Sequence, residues 1–350
     1  MASLPIIALV LKPPDLDEAL LSCAIAVDFG LNVEALTFLP VGNDADTAAY
    51  RLRTVTGTTF FVKLRRTSSF QPASVRLPRL LSAAGITQVI SPFETLSGEM
   101  FSSFEMFKLA LYPFVVGANA FERPLTSDQW IGLGRAVRSL HKLHLGAAIR
   151  AEMSLETFSA PHRDRVREHM ANESTASLDD SVSRGLADLL RANSASISRL
   201  LEVAEERAGA LPELGLAFVP CHGDLHAGNV LVAEDGAFFL VDWDTLILAP
   251  RERDLMFIGA GIGGAWNQPH EGTLFYEGYG KAAVSEAALE YYRAERVIED
   301  IASYCDEILE WKVSAADRAR GLSKLAAAFD PGDVVDIALR PGETSRSFGR

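Results

Sequence analysis

The chain has 350 residues, 48% of them hydrophobic and 23% charged, a composition that excludes a disordered chain and a length that allows two domains. Its 33 Lys and Arg against 46 Asp and Glu give a formal net charge of −13, which argues against nucleic acid or an anionic membrane surface as a partner. The same charge favours a cationic ligand, although many acidic surfaces serve only solubility. The 3 cysteines form no CxxC pair, and no apolar run approaches the ~18 residues that span a bilayer, so we expect a cytoplasmic protein without disulfides.

A small β-rich lobe is predicted for residues 1–110. An amphipathic helix begins near Asp15 and ends near Phe29, where Gly30 suits a C-cap. Strand-like runs follow at residues 35–39, 48–55 and 58–64, with turn residues between them. A short helix at residues 78–84 and β-like sequence at residues 101–111 complete this part. The pattern indicates an antiparallel sheet with few helices.

A larger, mainly helical lobe is predicted after a hinge at residues 111–118. From Ser127 onward the apolar residues recur at helical spacing, in the stripe Trp130, Leu133, Val137, Leu140 and His144. A β-like block at residues 216–241 interrupts the helices, which resume over residues 251–329. We therefore predict an α+β fold with the two-lobed architecture of kinases. Its second lobe covers residues 119–335, and residues 336–350 form a tail.

The strongest motif is Cys221-His222-Gly223-Asp224-Leu225-His226-Ala227-Gly228-Asn229, followed by Asp242 at the end of an apolar run. Phosphoryl transfer needs a carboxylate to orient the attacking hydroxyl and oxygen ligands for a Mg²⁺ ion that bridges the nucleotide phosphates. The spacing supplies Asp224 for the hydroxyl, and it supplies Asn229 and Asp242 as hard oxygen ligands. The alternative is that these residues only form turns and caps. Asp244 is two residues on, and we expect it to point away from this site if the chain turns after Trp243.

These residues resemble the catalytic block of the aminoglycoside phosphotransferase family, the protein-kinase-like kinases of small molecules. The resemblance covers nearly the whole chain. It is closest in character to the spectinomycin phosphotransferase branch, as judged from Lys12-Pro13-Pro14-Asp15-Leu16-Asp17, residues 38–44, Tyr50-Arg51-Leu52 and Tyr291-Tyr292-Arg293. It implies that Asp224 is the catalytic base, that Asn229 and Asp242 hold the metal, and that the cofactors are Mg²⁺ and ATP, with GTP as an alternative.

The nucleotide contacts follow from the same resemblance. Lys63, in an apolar strand, matches the kinase lysine that contacts the α- and β-phosphates. Asn43 and Asp44 occupy the position of the phosphate-covering hairpin, and Tyr112 and Phe114 that of the hinge that pairs with adenine. The sequence departs from the kinase pattern because no Asp or Glu lies between Lys63 and Glu94 to pair with the lysine. Either another acid orients it, or it meets phosphate directly.

A small hydroxylated acceptor is favoured over a protein. Only a few residues separate Asp242 from Arg251-Glu252-Arg253-Asp254, which leaves no room for the peptide platform of protein kinases. On the late helix, Glu295 and Glu299 share a face by their spacing. They predict either a carboxylate wall for a cationic acceptor or a solvated helix face. Arg296 and Asp300 read as an ordinary i, i+4 pair.

The leading interpretation is an ATP-dependent kinase that inactivates an antibiotic such as an aminoglycoside or aminocyclitol. A metabolic kinase of another small alcohol and a serine/threonine kinase of the same fold are rivals within the same class. A catalytically dead nucleotide-binding protein is the rival from a different class, and the absent helix glutamate is its only support. Sequence leaves the acceptor, its hydroxyl and the oligomeric state open.

Overall fold

The small lobe is built on an antiparallel sheet. The structure is a computed structural model that describes residues 13–41, 46–172, 180–310 and 313–340. Within these residues the sheet has five strands in the spatial order β1-β2-β3-β5-β4. They are β1 (Val33–Leu39), β2 (Thr47–Thr54), β3 (Thr59–Arg66), β4 (Ser102–Phe104) and β5 (Phe107–Pro113). The β-like run predicted at residues 101–111 is therefore a hairpin, with its turn between β4 and β5.

Helix α1 (Glu18–Phe29) covers one face of this sheet. Asp17 caps its N-terminus by accepting hydrogen bonds from two backbone N–H groups, and Gly30 ends it with a φ of 71°. Leu21, Ile25 and Phe29 lie one helical turn apart and are buried against the sheet. Each such side chain contributes roughly 1.5–3 kcal/mol when fully buried. The predicted helix and its C-cap, Gly30, are confirmed.

The alternation of β3 decides which residues face the opposite lobe. Phe60, Val62 and Leu64 are buried in the core of the small lobe, while Phe61 and Lys63 project to the other face and are only partly buried. Successive side chains of a strand point to opposite faces, so a lysine between apolar neighbours is directed away from the core. Lys63 is thus presented to the cleft between the lobes.

The second lobe is mainly helical, with two small sheets. Its helices are α2 (Ala73–Ala83), α3 (Ser127–His141), α4 (Ala147–Ala151), α5 (Pro161–Asn172), α6 (Ser181–Ala192), α7 (Ser194–Ala210), α8 (Glu252–Leu255), α9 (Pro269–Tyr279), α10 (Glu286–Leu309), α11 (Ala315–Ala327) and α12 (Val334–Leu339). One sheet pairs β6 (Gly117–Asn119) with β9 (Val230–Ala233) and β10 (Phe238–Leu240). The other pairs β7 (Ser154–Leu155) and β8 (Phe218–Cys221) with β11 (Ile247–Pro250). The β-like block predicted at residues 216–241 contains β8, β9 and β10.

Two features of this lobe position the site. Helix α10 runs through its centre and packs against α5, α7, α8 and α11, so residues on its faces are held rigidly. Helix α2 begins earlier than the predicted residue 78, and its buried Ala73, Leu77 and Leu81 belong to the core of the helical lobe although they precede the hinge in sequence. The chain passes between the lobes from the end of β5 at Pro113 to the start of β6 at Gly117.

The predicted α+β, two-lobed fold is confirmed. None of the helices in the described part of the chain combines the length and apolar character that crossing a bilayer requires.

Candidate active site

The loop that carries Asp224 follows β8, and the buried side chain of Asp254 stabilises it by hydrogen bonds to its backbone. Asp254 Oδ2 accepts the backbone N–H of His222 at 2.9 Å, and Oδ1 accepts that of Gly223 at 2.8 Å. Gly223 has a φ of 88°, and a Cβ there would lie 2.1 Å from the carbonyl oxygen of Thr245. Only glycine fits this turn, because its φ is positive and a neighbouring backbone is so close.

Arg296 and His226 lie beside the carboxylate of Asp224. Arg296 Nη1 donates to Asp224 Oδ1 at 2.5 Å, and His226 Nε2 lies 3.3 Å from Oδ2. Burial by itself would raise the pKa of Asp224, but Arg296 and His226 outweigh it and hold that pKa well below its usual range. The carboxylate is therefore ionised and suited to accept a hydrogen bond from a hydroxyl.

Hydrogen bonds join the Asp224 loop to the segment that carries Asp242. Asn229 Nδ2 donates to the carbonyl oxygen of Asp224 at 2.8 Å, and the Asn229 carbonyl accepts the N–H of Val241 at 3.0 Å. His222 Nε2 lies 2.9 Å from the Val241 carbonyl oxygen. Asp242 itself is in the left-handed region, with a φ of 63°. Asp tolerates this conformation better than most residues, although it costs energy and is typical of functional sites.

Lys63 is held by two carboxylates from the other lobe. Its Nζ lies 2.8 Å from Asp242 Oδ1 and 2.9 Å from Asp244 Oδ2. Burial lowers the pKa of Lys63, but these carboxylates outweigh it and keep the ammonium charged. The expectation that Asp244 points away is wrong: after Asp242 the chain enters a short 3₁₀ turn, Trp243–Thr245, which returns Asp244 toward Lys63 and Arg65. These acids provide the partner that α2 lacks.

The other residues predicted to bind the nucleotide are Tyr112, Phe114, Asn43 and Asp44. Tyr112 pairs with Phe61 across β5 and β3, on the face that carries Lys63, and burial raises the pKa of its hydroxyl. Phe114 follows β5, and the Arg51 guanidinium lies 4.9 Å from its ring centroid. Both stand at the passage between the lobes. Asn43 and Asp44 lie outside the described residues.

The acidic face of α10 is neither free nor solvated at Glu295. This residue is buried, and its Oε1 lies 2.5 Å from Arg163 Nε of α5. Burial raises the pKa of Glu295 to about 7, against the opposing effect of Arg163. Glu299 is half-buried, and its carboxylate raises the pKa of the half-buried Arg253 against the effect of burial. The solvated-face interpretation is therefore wrong for Glu295.

Two further residues of the site carry little local signal in the sequence. Asp254 stands in the short α8 and reads as an ordinary helix-start acid, yet it is buried and also contacts His141 Nε2 at 3.0 Å. Arg296 reads as the partner of Asp300 alone. The one signal in the sequence is that Arg296 stands on a helix that is apolar on several sides, where a charged side chain needs a partner. His144, predicted on the buried stripe of α3, is exposed because α3 ends at His141.

Buried His141, Cys221 and Asp254 bring possible metal-ligating atoms within 4.8 Å of one another. However, Asp254 already accepts the two backbone N–H groups and contacts His141. Burial also raises the pKa of the Cys221 thiol, so it stays protonated. This trio supports the loop rather than binding a cation.

Asn229 and Asp242 fit a hard divalent cation. The Nδ2 atom of Asn229 is engaged by the Asp224 carbonyl, which leaves its Oδ1 as a ligand atom. Asp242 is the more open of the two acids beside Lys63, with 48% of its side chain exposed against 15% for Asp244. An amide oxygen and an exposed carboxylate are ligands that Mg²⁺ prefers.

Comparisons with known proteins show the family to which the chain belongs. The sequence profile of the phosphotransferase enzyme family matches residues 37–294. A spectinomycin phosphotransferase, APH(9)-Ia, solved with ADP and spectinomycin, is 34% identical, with a TM-score of 0.83 over 93% of this chain and 98% of that one. The same enzyme in its AMP-bound form gives 33% identity and a TM-score of 0.80 over 93% and 99%.

More distant structures share the fold. An amicoumacin kinase is 16% identical with a TM-score of 0.61, covering 92% of this chain and 94% of that one. An ethanolamine kinase from Plasmodium vivax is 13% identical with a TM-score of 0.56, covering 94% and 93%. No curated protein sequence matches the chain significantly. The chain belongs to the phosphotransferase enzyme family, and it is a phosphotransferase with an alcohol group as acceptor.

Proposed function

We propose that this protein transfers the γ-phosphoryl group of ATP to a hydroxyl of an aminocyclitol antibiotic of the spectinomycin class and so confers resistance in the cytoplasm. The observation that carries the proposal is the arrangement of Asp224, Asn229 and Asp242, which hydrogen-bonded loops hold opposite Lys63. The 34% identity to a spectinomycin phosphotransferase over nearly the whole chain supports the acceptor class.

In this proposal Asp224 orients the acceptor hydroxyl and receives its proton as the bond from oxygen to phosphorus forms and ADP leaves. Since its pKa is held low, Asp224 acts more by orientation than by strong basicity, which suits a loose transition state. Lys63 exchanges Asp242 for nucleotide phosphates and keeps Asp244 as the partner that positions it. Asn229 and Asp242 would hold Mg²⁺, which neutralises charge on the transferred group.

The acceptor is proposed to be cationic because carboxylates outnumber guanidinium groups beside Asp224. Among the described residues that interact with Arg253, Glu295 and Arg296, the acids are Asp224, Glu156, Glu295, Glu299 and Asp300, and the arginines are Arg163, Arg253 and Arg296. Burial also raises the pKa of Asp300 to about 6, with the Glu299 and Asp224 carboxylates acting in the same direction and Arg296 against it. We assign the contact with an acceptor ammonium to Glu299. Glu295 makes a second contact with this ammonium, and for it gives up part of its pairing with Arg163.

The test incubates the protein with Mg·ATP or Mg·GTP and a panel of aminocyclitol, aminoglycoside and simple amino-alcohol acceptors. Mass spectrometry then detects addition of HPO₃. We expect spectinomycin to be modified. Asp224→Asn should lower kcat by at least about 10² while ATP and acceptor bind within a few-fold of wild type.

The matched control is Asp188→Asn, an exposed acid of α6 whose side chain is 76% accessible; it should retain full activity. Phosphorylation of an amino-alcohol but of no antibiotic would contradict the acceptor class. Consumption of neither nucleotide with any acceptor would contradict the proposed reaction, as would wild-type kcat in Asp224→Asn.

A further inference from the structure

Arg296 bridges two carboxylates at the reaction centre. Its Nη1 donates to Asp224 Oδ1 at 2.5 Å, while Nε and Nη2 each lie 3.3 Å from an oxygen of Asp300 one turn further along α10. The guanidinium is nine-tenths buried, and its carbon lies 5.8 Å from the ring centroid of Phe257. A planar group held on two edges and one face has little freedom to rotate.

The second oxygen of Asp224 is occupied much less firmly. His226 Nδ1 accepts the N–H of Gly228 at 2.9 Å, so Nε2 is the ring nitrogen that faces Asp224 as a donor. That Nε2 lies 3.3 Å from Asp224 Oδ2, and Asn229 Nδ2 lies 3.4 Å away. Both separations exceed those of strong hydrogen bonds. Oδ1 is therefore committed to Arg296, and Oδ2 keeps the capacity to accept another donor.

We propose that Arg296 is a positioning residue that fixes the carboxylate of Asp224 so that Oδ2 addresses the acceptor hydroxyl, and that Asp300 anchors Arg296 in this role. The inference rests on the proposed function and deepens it. The terminal torsion of an aspartate is broad, so a carboxylate without a fixed partner samples many orientations. The 2.8 Å hydrogen bond from Asn229 to the Asp224 carbonyl fixes the backbone, and the shortest hydrogen bond to the side chain is the one from Arg296 to Oδ1.

The test uses Arg296→Lys, Arg296→Met and Asp300→Asn with spectinomycin and Mg·ATP. Rapid-quench single-turnover experiments measure the chemical step, and calorimetry measures the Kd of spectinomycin and of the nucleotide. Arg296→Met should slow the chemical step by about 10², the cost typical of a misplaced reacting group, with both Kd values within about threefold. Arg296→Lys should recover roughly tenfold of the loss, and Asp300→Asn should lose about tenfold.

The matched control is Arg207→Met. Arg207 Nε lies 2.7 Å from Glu290 Oε2, so this change also removes an arginine–carboxylate pair from α10 but leaves Asp224 untouched. It should retain the wild-type rate. If Arg296→Met fails to fold because it leaves two half-buried carboxylates unpaired, Arg296→Lys and Asp300→Asn still decide the question. Arg296→Lys retains the charge, and Asp300→Asn retains the shape.

Three results would overturn the inference. Wild-type single-turnover rates in Arg296→Lys and Asp300→Asn would show that orientation does not depend on the bridge. A faster rate would mean that Arg296 blocks the acceptor instead of assisting it. A higher Kd for spectinomycin at an unchanged rate would make Arg296 an acceptor-binding group. If the wild-type protein phosphorylates no member of the acceptor panel, the proposed function fails first and this inference with it.

Discussion

Replacement of Asp254 by asparagine should destabilise the helical lobe by about 3–5 kcal/mol. Its carboxylate is fully buried, accepts the N–H groups of His222 and Gly223, and contacts His141. An asparagine oxygen retains one of the two backbone bonds, and its NH₂ group must then face the other backbone N–H. An orphaned buried donor costs about 1–3 kcal/mol, and loss of the charge weakens the remaining hydrogen bonds by roughly 1 kcal/mol each.

The assay is urea unfolding followed by circular dichroism, with Asp188→Asn as the control that should change little. Burial alone would raise the pKa of Asp254, but its contacts with His141, His222 and Gly223 outweigh it and lower that pKa. A lowered native pKa contributes stability above the unfolded value of about 3.9, and this contribution is lost as the pH falls through the native pKa. The gap between wild type and variant should therefore narrow in acid.

A loss of kcat should accompany the loss of stability, because the two backbone groups released by Asp254→Asn lie directly before Asp224. A destabilisation below about 1 kcal/mol near neutral pH would refute the reasoning. A gap of constant size from neutral pH down to pH ~3 would refute the electrostatic part of it.

Gly223→Ala should abolish activity and destabilise the protein by more than about 1 kcal/mol, since its Cβ would meet the Thr245 carbonyl at 2.1 Å; thermal melting and turnover measure both effects. Burial raises the pKa of Glu295 to about 7, so the protein takes up a proton there on folding and its stability should decline as the pH rises from about 4 to 8. Glu295→Gln should flatten that decline in pH-dependent unfolding, and an unchanged slope would contradict the assignment. Asp244→Asn should weaken the hold on Lys63 and raise the KM for ATP several-fold at an unchanged acceptor KM; an effect confined to the acceptor would place Asp244 elsewhere.

The sequence by itself determined the parts of this protein that are encoded over short distances. The spacing from Asp224 to Asn229 defines one loop, so both residues could be assigned to that loop before any fold was known. The alternation in β3 likewise places Phe61 and Lys63 on the face opposite Phe60, Val62 and Leu64, because a strand has a period of two residues. Gly30 marked the end of α1 for the same local reason.

Only the tertiary structure decided which charged groups meet. Asp244 reaches Lys63 because the chain enters a 3₁₀ turn after Asp242, and Arg296 reaches Asp224 across 72 positions of sequence. Helical periodicity gives the face of α10 on which a residue lies but not the element packed against that face. The partner of a buried charge is set by how the helices and loops dock, and that docking depends on the whole core.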